Sequence, residues 1–153
     1  DARFSCQFSS QGAGHVQEVS LKEIQGQADI LSLHVPLNKA SEAMIDKQFI
    51  DSMKKPFYLL NLSRGKVCVL SDVIDGLESN KIRGVALDVL PNERLEALSE
   101  NEKKELAYLG GNSAVILTPH IGGLTKDSFE QLAKVLGNKI VNWMETHPLV
   151  NPK

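Results

Sequence analysis

Four short apolar segments alternate with helix-like segments, and this alternation most constrains the fold of the chain. The apolar segments read ADILSLHVPL, PFYLLNLSRG, RGVALDVLP and SAVILTPHIGG. Short apolar runs bounded by glycine and proline are typical of strands buried on both faces of a sheet. The alternation therefore predicts an α/β domain, with a parallel sheet and helices on both faces.

The segments between the strands carry helix signals. Ser20 and Glu23 have the spacing of a capping box, and Ser71 and Thr125 are the expected caps of two later helices. After Thr125, apolar residues recur at intervals of three and four, which predicts one long amphipathic helix. Phe129 and Trp143 belong to this apolar stripe and are expected in a core or an interface.

Composition excludes several functions. The chain has 153 residues, of which 42% are hydrophobic and 24% charged, and its net charge is −2. A nucleic-acid-binding surface would need a clustered basic face, and a membrane span would need about 20 apolar residues in a row. The two cysteines, Cys6 and Cys68, form no C-x-x-C motif, so a reducing cytoplasm and free thiols are expected.

Charged and titratable side chains follow the predicted strands at their carboxyl ends. In an open α/β sheet, ligands bind at that edge. The residues expected there are His34, Arg64, Asp88, Glu93 and His120.

The chemistry of these side chains suits a small carboxylic acid and a proton transfer. The guanidinium of Arg64 can bind a carboxylate through two parallel hydrogen bonds, and His120 can exchange a proton near neutral pH. Glu93 is a candidate to pair with the imidazolium of His120. Taken singly, Arg64 also fits a surface arginine at a turn, and His120 fits a strand-end histidine bonded to the backbone.

Two other kinds of site fit the sequence poorly. No pair of histidines or cysteines has the spacing of a zinc site, so no metal is expected. A Ser-His-Asp hydrolase would need a G-x-S-x-G turn, which the sequence lacks.

The ordered blocks ADILSLHVPL, LLNLSRGKV, GVALDVLPNE and ILTPHIGG resemble the C-terminal part of the D-isomer-specific 2-hydroxyacid dehydrogenases, which include phosphoglycerate dehydrogenase-like enzymes. The resemblance runs from about Val19 to Ile140. It implies a Rossmann-like α/β fold, a parallel sheet with flanking helices, that lacks its first βαβ unit. Residues 1–124 would form the C-terminal part of an NAD-binding domain, and residues 125–153 a helix returning towards a substrate domain.

The resemblance also implies a mechanism. Arg64 would bind the carboxylate of a D-2-hydroxy acid or 2-keto acid, His120 would move the hydroxyl proton, and Glu93 would pair with His120. The cofactor would be NAD. The residues implied in its binding are His34, Val35, Pro36, Leu62, Ser63, Arg64, Asp88, His120, Gly122 and Gly123.

The sequence also departs from the family pattern. The segment QGAGHV supplies Gly12 and Gly14 but no third glycine, and it follows no convincing strand. Without a G-x-G-x-x-G loop to hold pyrophosphate, these residues alone are expected to bind NAD weakly and to be inactive. Asp1, if it lies beside the adenosine ribose, favours NAD over NADP.

Three functions remain open from the sequence. The first is an NAD-dependent dehydrogenase, expected as a cytoplasmic homodimer without nucleic-acid or membrane partners. The second is an NAD(H)-sensing corepressor on the same fold, and the third is a non-catalytic assembly protein. Arg64, Glu93 and His120 together argue against the third, because an inactive protein has no chemical need for all of them.

Overall fold

The computed structural model describes residues 17–146 of the chain. The chain divides into two compact units, Asp1–Pro119 and His120–Lys153. The predictions for Asp1, Cys6, Gly12 and Gly14 lie outside the described residues.

The first unit is a four-stranded parallel sheet with helices between the strands, so the predicted α/β class is confirmed. The strands are β1 (Ile30–Leu33), β2 (Phe57–Asn61), β3 (Ile82–Leu87) and β4 (Val115–Leu117), and they neighbour each other in chain order. The helices are α1 (Leu21–Gln27), α2 (Lys47–Ser52), α3 (Leu70–Glu78) and α4 (Glu100–Gly111), with short 3-10 turns at Gly65–Val67 and Leu95–Ala97.

The sequence explains where most helices begin. Ser20 and Glu23 form the predicted capping box of α1, and Ser99 forms a second one with Glu102 at α4. Asp46 caps α2 by accepting a hydrogen bond from the backbone of Phe49. The predicted Ser71 cap is wrong, because α3 begins at Leu70 and no side chain caps it.

The core lies between the sheet and the helices of the first unit. Its fully buried side chains include Phe57 and Leu59 from β2 and Val73 from α3. Burial alternates along β1 and β2, so the expectation that these strands are buried on both faces is wrong for the described residues. The buried faces of β1 and β2 pack into the same core as α2 and α3, whereas Ile30 and Tyr58 on alternate positions are exposed.

The second unit contains α5 (Lys126–Thr146). Thr125 caps it as predicted, because its hydroxyl accepts a hydrogen bond from the backbone of Ser128 at 3.0 Å. Trp143 is 54% exposed, so it is not a core residue; a role in an interface stays a prediction. The side chain of Phe129 lies outside what the structure describes. Within residues 17–146, no helix combines the length and the apolar character that crossing a bilayer requires.

Candidate active site

The strand register places four strand ends in one row. Leu33 pairs with Asn61, Asn61 with Leu87, and Leu87 with Leu117, so the carboxyl ends of all four strands lie at one edge. The residues that follow this row include His34, Ser63, Arg64, Asp88 and Thr118. The topology thus places these strand-end residues at one edge of the sheet.

Arg64 projects from a tight loop directly after β2. Arg64 is exposed, and its Nη1 donates to the carbonyl of Ser63 at 2.6 Å. The backbone at Arg64 is extended, with φ −146° and ψ 137°, and the 3-10 turn that begins at Gly65 follows at once. The guanidinium therefore stands at the carboxyl edge with further donors available beyond the one bonded to Ser63.

Asp88 is the buried acid of this edge. It is 6% exposed and accepts a hydrogen bond from the hydroxyl of Thr118 at 2.5 Å. Its backbone N–H donates to the carbonyl of Asn61 at 3.0 Å, and that of Thr118 donates to Leu87 at 3.0 Å. The hydrogen-bond ladder of the sheet thus continues one residue beyond β3. It fixes the carboxylate of Asp88 between the ends of β2 and β4.

The segment after β1 presents mostly backbone. His34 is exposed, and its Nε2 lies 2.8 Å from the hydroxyl of Ser32. Val35 is half-buried and Pro36 is exposed, and the carbonyl of Pro36 accepts a hydrogen bond from the buried hydroxyl of Ser41 at 2.6 Å. This turn is therefore held from inside by the hydroxyl of Ser41.

Glu93 lies in the exposed loop between Asp88 and α4. Asn92 organises this loop: its Oδ1 accepts from the backbone of Arg94 at 3.1 Å, and its Nδ2 donates to the carbonyl of Ala97 at 3.4 Å. The carboxylate of Glu93 is carried on a short, internally bonded turn rather than on a regular element.

His120 is the first residue of the second unit and has a left-handed backbone, with φ 56°. A non-glycine residue rarely adopts this conformation, and such residues cluster at functional sites. Gly122 and Gly123 follow in a turn, and the carbonyl of Gly123 accepts a hydrogen bond from the hydroxyl of Ser128 in α5 at 2.5 Å. The loop that begins at His120 is thereby tied to the first turn of α5.

Asn61 and Thr118 are two residues of this edge to which the sequence analysis gave no role. Asn61 is fully buried at the end of β2, and Thr118 holds Asp88. The signal for Asn61 was present, because an asparagine that ends an apolar strand must find hydrogen-bond partners. Thr118 carried no such signal, because its partner lies 30 residues away.

The edge offers neither a metal site nor a reactive thiol. Among residues 17–146, no group of three or more histidine, cysteine, aspartate or glutamate side chains is arranged to hold a metal ion. Cys68 is buried near the loop of Arg64, and burial raises the pKa of its thiol to about 12, against a smaller lowering effect of its hydrogen bond with Asn61.

An open parallel sheet with candidate ligand-binding side chains at its carboxyl edge is the arrangement found in nucleotide-binding α/β domains. The model of the family "D-isomer specific 2-hydroxyacid dehydrogenase, NAD binding domain" matches residues 6–122. The chain belongs to this family.

Named relatives agree with the match. The chain is 32% identical to a hydroxypyruvate reductase of Blautia hydrogenotrophica, over 86% of this chain and 38% of the relative. It is 35% identical to the D-3-phosphoglycerate dehydrogenase of Dictyostelium discoideum, over 82% of this chain and 30% of the relative. The crystal structure of Aquifex aeolicus D-lactate dehydrogenase complexed with NAD and lactic acid matches with a TM-score of 0.67 and 30% identity, over 88% of this chain and 45% of that chain.

The chain thus spans less than half the length of these relatives. The polar groups at the carboxyl edge, the exposed guanidinium of Arg64 and the carboxylate of Asp88, are compatible with a polar cofactor. The 153-residue sequence contains no G-x-G-x-x-G motif for the pyrophosphate.

Proposed function

We propose that the protein carrying this chain is an NAD-dependent dehydrogenase that interconverts D-2-hydroxy acids and 2-keto acids. The observation that carries the proposal is Arg64, exposed at the carboxyl edge on a loop whose backbone is held by hydrogen bonds to the buried side chain of Asn61. A fixed guanidinium matches a carboxylate through two parallel hydrogen bonds. Every 2-hydroxy and 2-keto acid offers that carboxylate beside the reacting carbon.

The proposed roles divide the reaction between three side chains. Arg64 holds the carboxylate and polarises the neighbouring C2–O group. During oxidation, the hydroxyl proton passes to the imidazole of His120 while the C2–H bond breaks, and during reduction the proton returns. Glu93 pairs with the imidazolium that forms. NAD supplies the hydride acceptor, and the products are a 2-keto acid, NADH and a proton.

The remaining site residues are proposed to contact the cofactor, largely through backbone atoms. They are His34, Val35, Pro36, Leu62, Ser63, Asp88, Gly122 and Gly123. In this proposal residues 1–124 belong to the NAD-binding domain, and the helix within residues 125–153 returns towards a substrate-binding domain.

We also propose that the protein is a cytoplasmic homodimer. The buried free thiol of Cys68 is compatible with a reducing compartment. The apolar stripe of α5, which includes Leu132, Leu136 and Ile140, supports contact with another element or subunit. Light scattering of the full-length protein tests the dimer.

The test of the proposed function is a substrate screen with the full-length protein that carries this chain. A panel of 2-keto acids with NADH, followed at 340 nm, should reveal turnover of at least one acid, and Arg64→Ala should strongly lower its kcat/KM while leaving a measurable residual rate. Binding of NADH without turnover of any acid would overturn the proposal and favour a dinucleotide-sensing protein.

A further inference from the structure

Asn61 is a buried polar side chain whose hydrogen-bonding groups all have partners. It ends β2 with 0% exposure. A primary amide offers two donor hydrogens and two acceptor lone pairs. The Oδ1 of Asn61 accepts from the backbone N–H of Ser63 at 3.0 Å and from its hydroxyl at 2.9 Å. Its Nδ2 donates to the carbonyl of Arg64 at 3.0 Å and to the Sγ of Cys68 at 3.5 Å. All four capacities are therefore used.

These bonds determine the course of the chain on both sides of Arg64. The bond to the Ser63 N–H folds the backbone back one residue before Arg64, and the bond to the Arg64 carbonyl fixes the peptide plane after it. The same carbonyl accepts from the backbone of Val67 at 3.2 Å, which closes the 3-10 turn. With its flanking peptide groups fixed, the Cα–Cβ direction of Arg64 is fixed as well.

Asn61 also connects this loop to the buried acid of the site. Its own carbonyl accepts from the N–H of Asp88 at 3.0 Å. The side chain of Asn61 thus organises the loop of Arg64, while its main chain aligns the end of β3. No other polar side chain among residues 17–146 is fully buried.

We propose that Asn61 is a positioning residue that sets the direction of the Arg64 guanidinium towards the substrate carboxylate. This inference rests on the proposed function and deepens it. Asn61 touches neither substrate nor cofactor; it acts through Arg64. An apolar side chain of similar size removes all four bonds, whereas Asn61→Asp keeps the two acceptor bonds and places a carboxylate oxygen against the carbonyl of Arg64.

The experiment compares Asn61→Leu and Asn61→Asp in the full-length enzyme. Asn61→Leu is expected to raise the KM for the 2-keto acid at least tenfold, because the loop that carries Arg64 loses the bonds that hold it. Asn61→Asp should raise KM as well, because the donor bond to Arg64 is lost. The control is Ile82→Ala, which shortens a side chain that is 1% exposed. Ile82 lies at the first position of β3, away from the carboxyl edge. It should lower the melting temperature and leave KM within twofold.

A double-mutant cycle separates positioning from general stability. If Asn61 acts through Arg64, adding Asn61→Leu to Arg64→Ala should change kcat/KM less than twofold. An equal loss of kcat/KM in the presence and absence of Arg64 would overturn the inference. So would an unchanged KM in Asn61→Leu.

Amide hydrogen exchange tests whether Asn61 organises the loop of Arg64 without a turnover assay. The N–H of Ser63 should exchange at least tenfold faster in Asn61→Leu, while amides within β2 and β3 keep their protection. If the unmodified protein turns over no 2-keto acid and the exchange at Ser63 still rises, the proposed dehydrogenase function fails but the loop-organising role stands. If the exchange does not rise, the inference about Asn61 is overturned.

Discussion

Gly65 lies directly against the main chain of Leu90. A Cβ added at Gly65 would lie 2.0 Å from the carbonyl carbon and 2.1 Å from the carbonyl oxygen of Leu90, and 2.4 Å from the nitrogen of Pro91. Real Cβ atoms do not approach backbone this closely, so only glycine fits. The loop of Arg64 and the segment leading to Glu93 are thus in contact, main chain against main chain.

The first prediction concerns this contact. Gly65→Ala should lower the free energy of unfolding by about 3 kcal/mol, the upper part of the usual range for overpacking, because no flexible side chain can move aside. Urea denaturation measures this change. In the full-length enzyme the KM for the 2-keto acid should also rise, since the loop of Arg64 must shift.

Gly110→Ala is the matched control for Gly65→Ala. Gly110 lies in α4 and has nothing within 4 Å of the added Cβ, so alanine should raise the free energy of unfolding by about 0.5–1 kcal/mol. Equal effects of the two substitutions would show that the contact between Gly65 and Leu90 is not tight in solution.

Arg64→Lys tests whether geometry or charge matters at the carboxyl edge. Lysine keeps the positive charge but lacks the planar fork, so the KM for the 2-keto acid should rise about 10- to 100-fold, the equivalent of one charge-assisted hydrogen bond. Steady-state kinetics measure it. Arg83→Lys, at an exposed position near the start of β3, should leave KM unchanged. A KM for Arg64→Lys within twofold of the unmodified enzyme would rule out bidentate binding.

His120 offers a test by chemical rescue. His120→Gly removes the imidazole and tolerates the backbone φ of 56° without strain. Its kcat should fall about 10²- to 10⁴-fold, the usual contribution of a general acid or base. Added imidazole should restore part of the lost kcat, and N-methylated pyrrole, which binds no proton, should not. If neither compound restores activity and kcat falls less than tenfold, the proton passes to another group.

The fold was more predictable than the detail of the site. Parallel strands followed from apolar runs separated by helix signals, and the capping box of Ser20 followed from local chemistry. The sequence also named Arg64 and Asp88 as strand-end residues. It could not show that Thr118 bonds to Asp88 or that Gly65 meets Leu90, because both contacts join residues far apart in the chain and depend on the register of β3.

The burial of the strands was overestimated for a related reason. Apolar composition alone does not distinguish a strand covered on both faces from one covered on one face. Ile30 is as apolar as its neighbour Leu31, yet Ile30 is 63% exposed and Leu31 is 8% exposed. Only the positions of the helices decide which face is covered.

The thiol of Cys68 should report on opening of the first unit. Burial raises its pKa from 9.0 to about 12. Each pKa unit is a factor of ten, so the thiolate fraction at neutral pH falls about a thousandfold, and the thiolate is the reactive form. Labelling by a thiol reagent should therefore be at least 100-fold slower in the native protein than in urea, with Cys6→Ser removing the other cysteine.

Because the folded-state pKa is raised, the Cys68 thiol stabilises the fold fully below pH 9 and progressively less as pH rises towards 12.

The last prediction concerns cofactor binding by these 153 residues alone. The sequence has no G-x-G-x-x-G loop to hold the pyrophosphate at a helix N-terminus. The isolated polypeptide should therefore bind NADH with a Kd above about 1 mM, corresponding to less than about 4 kcal/mol of binding free energy. Fluorescence titration measures this, with the full-length protein as the positive control. Micromolar binding by the isolated polypeptide would show that the pyrophosphate is held without such a loop, and Gly12→Ala and Gly14→Ala would then be the first substitutions to test.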